Sequence, residues 1–265
     1  MDEYQHRICR AIDFVERNLS RDFSIQEVAK AAGFSSFHFQ RLFRAAIGES
    51  VGQFVRRIRL ESAARRLVNN PREDITNTAI RLGFSSSKNF AKAFRVHFDC
   101  SPTEFRKRFL NQQKGGGPGN DADLASSVPA AEALMTLRSK PFDLKRIKSH
   151  VEVKMMEPVR VVYHRHFGSY NDAAVQTAFD QLQQWAVARG RIDPTYLGIP
   201  WDDVLVSPTR KCRFDACVVV ENDFFGGQKK NWQDIPGGLF AVYSCSIENH
   251  DFERPWDELM WGLVA

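Results

Sequence analysis

A tetrapeptide corner occurs twice, as Gly33-Phe34-Ser35-Ser36 and Gly83-Phe84-Ser85-Ser86, and the sequence around it repeats with it. Ala29 and Ala79 each stand four residues ahead of a glycine, and Phe39 with Phe43, then Phe90 with Phe94, follow at helical spacing. Each phenylalanine pair is followed by a base, Arg44 or Arg95, and the match runs on through Ser50-Val51-Gly52-Gln53-Phe54 and Ser101-Pro102-Thr103-Glu104-Phe105. A repeat of this length means duplicated structure. Each corner ends one short helical pattern and begins another, so this part of the chain must fold around two helix-turn-helix units.

The pattern before and between the corners fills in the helices. Tyr4, Ile8, Ile12, Val15 and Leu19 form the stripe of an amphipathic helix. Ser24-Ile25-Gln26-Glu27 reads as a capping box, and Gly33 suits the left-handed cap that closes the helix it starts. Ser50 and Gln53 form a second box ahead of Phe54, Val55, Ile58, Ala63, Ala64, Leu67 and Val68. One continuous helix of about 19 residues is predicted there, near 28 Å long. Arg56, Arg57, Arg59, Arg65 and Arg66 lie along it and are read as salt-bridging or phosphate-near surface. After Asn69-Asn70-Pro71 the pattern restarts with Asp74 and Ile75 in the places of Ser24 and Ile25, and Ser101-Pro102-Thr103-Glu104 caps the closing helix.

Charge separates the chain into unlike halves. Residues 1–113 carry 20 Lys+Arg against 12 Asp+Glu, whereas residues 114–265 carry 17 against 20. The first half is thus the candidate for a polyanion. The helix after the first corner buries Phe39 and Phe43 and leaves Phe37, His38, Gln40, Arg41 and Arg44 on its other face. Arg can bond guanine twice and Gln adenine twice in a major groove, and Phe37 can touch a thymine methyl. The helix after the second corner exposes Ser87, Lys88, Asn89, Lys92 and Arg95, of which Asn89 suits adenine and the lysines guanine or phosphate.

On these residues, positions 8–110 resemble the DNA-binding domain of AraC/XylS-type transcription regulators, an all-α fold of two helix-turn-helix units joined by a long helix. The resemblance implies a first recognition helix using Ser36, Phe37, Gln40 and Arg41 and a second using Ser87, Lys88, Asn89 and Lys92; Arg44 and Arg95 are read from their place on the same faces as phosphate contacts. Two departures stand out. Asp99 occupies a position where the family has glycine, and Lys92 is less suited than arginine to bidentate base contacts.

A linker is expected over residues 114–147, where Lys114-Gly-Gly-Gly-Pro-Gly-Asn120 breaks any helix and the following stretch has little to bury. It is expected to be mobile, with a short helix near residues 130–137. Residues 1–113 and 148–265 are therefore expected to fold separately. In the second half, residues 151–156 and 160–166 read as strands, residues 172–189 as a helix burying Val175, Phe179, Leu182 and Trp185, and residues 214–220 and 236–243 as further strands. The half is α+β.

Arg165-His166-Phe167-Gly168-Ser169-Tyr170, Arg213-Phe214-Asp215-Ala216-Cys217 and Ile235-Pro236-Gly237-Gly238 resemble segments of GyrI-like effector-binding domains. The resemblance implies a β-α-β-β unit repeated about a pseudo-twofold axis, with a cleft for a small, often cationic or aromatic effector. It also implies a second repeat that is incomplete, since the sequence given stops within the apparent second helix, at residues 256–265, ahead of two strands and a late glutamate. An unpaired sheet edge is expected in consequence. The effector-facing candidates are Tyr170, Trp185, Trp201, Phe214, Tyr243 and Trp256, whose ring faces attract cations.

Other chemistry finds little footing. There is no phosphate loop, dinucleotide fingerprint or HExxH run. His164 and His166 share one face of a strand, but no cysteine or acid stands near them in sequence, and no metal or cofactor is assigned. Asp215 is expected to support a turn or to pair with Arg213, and Cys212 and Cys217 to be buried thiols. Five cysteines without a CxxC pair fit a reducing compartment, and no apolar run spans a bilayer. A cytoplasmic, non-enzymatic regulator is expected, with duplex DNA as partner, RNA polymerase as a further partner and a small effector. The alternatives are a protein-interaction module in the second half, or a hydrolase by analogy with stand-alone GyrI-like domains.

Overall fold

The computed structural model describes residues 3–113, 150–170, 173–191, 193–204, 206–221, 231–246, 255–256 and 258–259. The expected linker and its short helix, and most of the apparent second helix of the effector-type domain, lie outside the described residues.

Seven helices form the first half: α1 (Glu3–Arg17), α2 (Ile25–Ala31), α3 (Ser36–Ile47), α4 (Val51–Asn69), α5 (Ile75–Arg81), α6 (Ser87–Phe98) and α7 (Pro102–Gln113). Their starts are the predicted ones. Ser24 and Glu27, and Ser50 and Gln53, make reciprocal capping boxes, and Asp74 accepts from the backbone N–H groups of Thr76 and Asn77. Both corners close alike: Gly33 and Gly83 sit at φ +70° and +73°, and the next residue's N–H reaches back to Ala29 or Ala79 at 2.9 and 3.1 Å. Only glycine enters that conformation without steric cost.

The two units have separate cores that share one helix. Ile8, Ile12, Val15, Val28, Phe39 and Phe43 pack with Val51, Phe54 and Ile58 of α4, whereas Ala79, Phe90, Phe94, Phe98 and Phe105 pack with Leu60, Ala63, Ala64 and Leu67. The 19 residues of α4 are thus divided between the cores just at position 59.

The second half contains β1 (Val151–Met156), β2 (Val159–Phe167), α8 (Ala173–Val187), β3 (Tyr196–Pro200), β4 (Arg213–Val220), β5 (Asn231–Ile235) and β6 (Gly238–Tyr243). β3, β4, β2 and β5 make an antiparallel sheet in that order, and β1 pairs with β6 in a separate ribbon. Strands β3 and β5 are additions to the sequence reading. Both are edge strands, which is where Pro200 and the polar run Asn231-Trp-Gln-Asp are tolerated. Alternation along β2 and β4 gives the sheet two buried faces. Val162, Ala216, Val218 and Val220 face Leu182, Trp185 and Ala186 of α8. Val161, Tyr163 and Cys217 face the other way and pack with Cys9 of α1.

That second contact joins the two halves, which the sequence reading does not anticipate. Helix α1 lies on the sheet face that α8 leaves open, and Val206 joins the core of the second helix-turn-helix unit. A surface burying Val161, Tyr163 and Cys217 has no stable solution in water, so another layer must cover it. Here that layer is a helix of the other half.

Candidate nucleic-acid interface and effector-type domain

On α3, burial of Phe39 and Phe43 turns Phe37, Gln40, Arg41 and Arg44 outward, with Phe37 81% exposed and Ser36 half-buried at the helix start. Ser35 takes the capping conformation without making a side-chain bond. On α6, burial of Phe90, Ala93 and Phe94 does the same for Lys88, Asn89, Lys92 and Arg95, with Ser87 half-buried. Ser86 Oγ accepts from the Asn89 N–H at 3.1 Å, and Asn89 Nδ2 donates to Ser85 Oγ at 2.9 Å, which holds that amide at the first turn. Arg95 lies 3.9 Å from Glu104, both well exposed. The ten residues therefore form two polar stripes of like design, one per unit. Asp99, the departure from glycine, closes α6 in the left-handed region at φ +53°, where its counterpart Gly48 closes α3 at +76°.

The six aromatic candidates do not gather at one place. Tyr170 and Phe214 have ring centroids 5.8 Å apart, and Phe179 adjoins Phe214 at 6.0 Å. The Tyr170 hydroxyl donates to Asp202 O at 2.6 Å and accepts from Asp202 N at 3.1 Å, and burial pushes its pKa up. Trp185 is buried between α8 and the sheet. Trp201 lies toward the opposite face, where its indole N–H donates to Asp215 at 2.7 Å. Tyr243 is on the ribbon and donates to Glu258 at 2.7 Å, and Trp256 is half exposed.

Sequence reasoning missed a cluster of charged residues between the halves. Arg165, fully buried, donates to both oxygens of Asp215 at 2.7 Å and to Asp13 of α1 at 2.9 Å. Tyr163 donates to the other Asp13 oxygen at 2.6 Å. Arg213 donates to Asp202 from two nitrogens at 2.7 Å and to Glu16 of α1 at 2.5 Å. Lys211 reaches Glu49 at 2.8 Å, a carboxylate that Arg57 also holds. Asp215 thus pairs with Arg165 rather than with Arg213: the register sets Arg165 directly opposite Asp215, and Arg213, although on the same face of β4, is taken by Asp202 and Glu16. Burial works against both arginine charges, but the acids around them outweigh it and raise both pKa values. In sequence Asp13 and Glu16 stand beside the apolar stripe of α1 and look like ordinary surface acids, so no local signal singled them out.

For other chemistry the geometry offers little. The run Gly48-Glu49-Ser50-Val51-Gly52 has the spacing of a hydrolase nucleophile elbow, but Ser50 follows helix α3 rather than a strand and its Oγ accepts from Gln53 N at 3.3 Å as a cap. Cys212 and Cys217 are buried free thiols, and burial pushes Cys212 up to about 12. Among the described residues no three His, Cys, Asp or Glu gather as metal ligands, and no helix is long and apolar enough to cross a membrane.

Paired corners on a shared helix, each presenting an exposed polar stripe, define a helix-turn-helix DNA-binding protein joined to an α+β domain. Comparison with known proteins agrees. Residues 28–108 match a helix-turn-helix domain model and residues 149–263 a GyrI-like small molecule binding domain model. The chain is 33% identical over 95 residues to multiple antibiotic resistance protein MarA of Escherichia coli, covering 36% of this chain and 74% of that protein. It is 32% identical over 105 residues to regulatory protein SoxS of the same organism, covering 40% and 97%. A solved AraC-type transcriptional regulator from Chromobacterium violaceum is 26% identical, with a TM-score of 0.38 over 43% of this chain and 96% of that one. The chain belongs to the AraC/XylS-type transcription regulators and carries a GyrI-like domain.

Proposed function

We propose that this DNA-binding regulator reads a bipartite promoter site, inserting α3 and α6 into successive major-groove faces, and that its GyrI-like domain takes a small cationic or aromatic effector by binding rather than catalysis. The observation that carries the reading is the likeness of the two exposed stripes, Ser36, Phe37, Gln40, Arg41 and Arg44 on one unit and Ser87, Lys88, Asn89, Lys92 and Arg95 on the other. They stand on units joined by one helix of 19 residues, about 28 Å, against a groove repeat of about 34 Å. Arg41 and Gln40 would carry base readout on the first half-site, Lys88 and Asn89 on the second, and Arg44 and Arg95 the phosphates. Work in the cytoplasm beside RNA polymerase follows from this role.

The test is a pair of substitutions. Arg41→Ala is expected to relax base preference at one position, at a cost of about 1–3 kcal/mol on the preferred duplex, whereas Arg44→Ala is expected to weaken all duplexes alike and flatten the salt slope. Equal losses on specific and random duplex for Arg41→Ala would contradict the assignment. For the effector, the neighbouring rings of Tyr170 and Phe214 support an aromatic-lined site. A panel of hydrophobic cations screened by thermal shift is expected to raise the midpoint of the protein, and to do so less in Tyr170→Ala. A second reading, a protein-docking role for this half, is favoured by the exposed side of the ribbon, where Val153, Met155 and Leu239 are all about 70% exposed.

A further inference from the structure

We propose that Arg59 is the positioning residue that fixes the distance and twist between the two recognition helices, and with them the half-site spacing the protein accepts; the inference rests on the bipartite reading above. Arg59 lies in α4 between Ile58, the last residue of that helix in the first core, and Leu60, the first in the second. Its guanidinium is spent entirely on joining the units. Nε donates to Leu19 O at 3.1 Å and Nη2 to Arg21 O at 2.7 Å, both in the connection between α1 and α2 of the first unit. Nη1 donates to Gly83 O at 2.9 Å, the corner of the second unit. Asp22 stands 3.9 Å away, and the side chain is only 14% exposed. A planar fork with fixed donors holds three carbonyls in one geometry, which a lysine ammonium cannot do.

The corner packs as closely as the bonds imply. A Cβ on Gly83 would lie 2.5 Å from Arg59 Nη2 and 2.8 Å from Leu19 O, so the second unit's corner rests directly on the first unit's loop. Beside this contact the units leave an open crevice lined by Phe23, Val28, Val55 and Phe84. The first unit shows what the same device does without a bridging role. Arg7 on α1 donates to Ala32 O at 2.9 Å and covers the Phe34 ring at 3.5 Å, both within its own unit. Each corner thus has an arginine against it, and Arg59 is the one that bonds to both units.

One base pair of added spacer moves a half-site by about 3.4 Å and turns it by about 34°, so a rigid pair of helices cannot follow it without strain. The experiment uses the full chain with a duplex selected from a random library, and derivatives with the centre lengthened or shortened by one and two base pairs. Wild type and Arg7→Ala are expected to lose about tenfold or more in affinity per added base pair, a cost like that of a mismatch. Arg59→Ala and Arg59→Lys are expected to bind all spacings within about threefold of one another, with thermal midpoints recorded beside each titration. Retention of the wild-type spacing preference by both Arg59 variants overturns the proposal, as does a uniform loss on every duplex with a flatter salt slope, the mark of a phosphate contact. Indifference of the wild type to scrambling either half-site overturns the bipartite reading instead.

Discussion

Asp13→Ala tests whether the two halves hold each other in the way the buried charges imply. The substitution removes the acceptor of Arg165 Nη1 at 2.9 Å and of the Tyr163 hydroxyl at 2.6 Å. Arg165 is 0% exposed and Asp13 only 6%, so neither group regains water while the interface stays closed. Breaking a buried pair costs about 3–5 kcal/mol, and an orphaned buried hydroxyl about 1–3. Arg165 keeps both bonds to Asp215, which offsets part of the first figure. A loss of about 3 kcal/mol is expected, a large fraction of the stability of an ordinary domain. The assay is urea unfolding followed by two probes. All five tryptophans lie at or beyond position 185, so their fluorescence reports the second half, whereas far-UV dichroism is dominated by the seven helices of the first. Asp13→Ala should lower both midpoints although it alters only α1, and a cycle with Arg165→Met should return a coupling of about 1–3 kcal/mol. A fluorescence midpoint that does not move, or a total loss below about 1 kcal/mol as for exposed pairs, would refute the reasoning.

Three further outcomes follow from the same structure. Asp99→Gly should stabilise the protein by about 0.5–1 kcal/mol, because an L residue at φ +53° pays a steric cost that glycine escapes; a lower thermal midpoint would show that the carboxylate contributes there. Trp185→Ala should cost about 3–5 kcal/mol in urea titrations through the cavity it leaves under α8, and a near-neutral result would free that residue for ligand contact. Burial acts to raise the Glu49 carboxyl, but hydrogen bonds from Arg57 and Lys211 outweigh it and hold the pKa below its ordinary value. A carboxylate held low in the fold adds stability above its unfolded pKa of about 4.3 and loses it as pH falls through the folded value. Glu49→Gln should therefore flatten the fall in urea midpoint below about pH 4.3, and an unchanged acid profile would count against these bonds.

The first half was legible because its signals are local. A capping box acts over three residues, a glycine corner over six, and a phenylalanine pair over one turn, so Ser24, Gly33, Phe39 and Phe43 can be read without knowing what lies across from them. The recognition stripes followed as the complement of the buried face. The second half was legible only where strands alternate in a central position, as β2 and β4 do. β3 escaped because Gly198 and Pro200 look like a loop and a proline is tolerated in a sheet chiefly at an edge, and β5 because its residues are mostly polar. The interface between the halves was not legible at all. Asp13, Arg165 and Arg213 look like surface charge in sequence, and pairing across some 150 to 200 residues leaves no periodic trace.

The ion pairs across the interface all have the same polarity. Every acid in the three pairs, Asp13, Glu16 and Glu49, comes from the DNA-binding half, and every base, Arg165, Arg213 and Lys211, from the other. Arg165 and Arg213 are each shared with an acid of their own half, Asp215 or Asp202, so the cluster ties the halves together without adding net positive charge to the DNA-binding segment. Desolvation offsets much of the attraction in each buried pair, so the pairs add little net stability. A shifted docking, however, would strand Asp13 and Glu16 without their guanidinium partners, since Arg165 and Arg213 keep Asp215 and Asp202. The cost of that misplacement, rather than the strength of the contact, is what confines α1 to one position on the sheet.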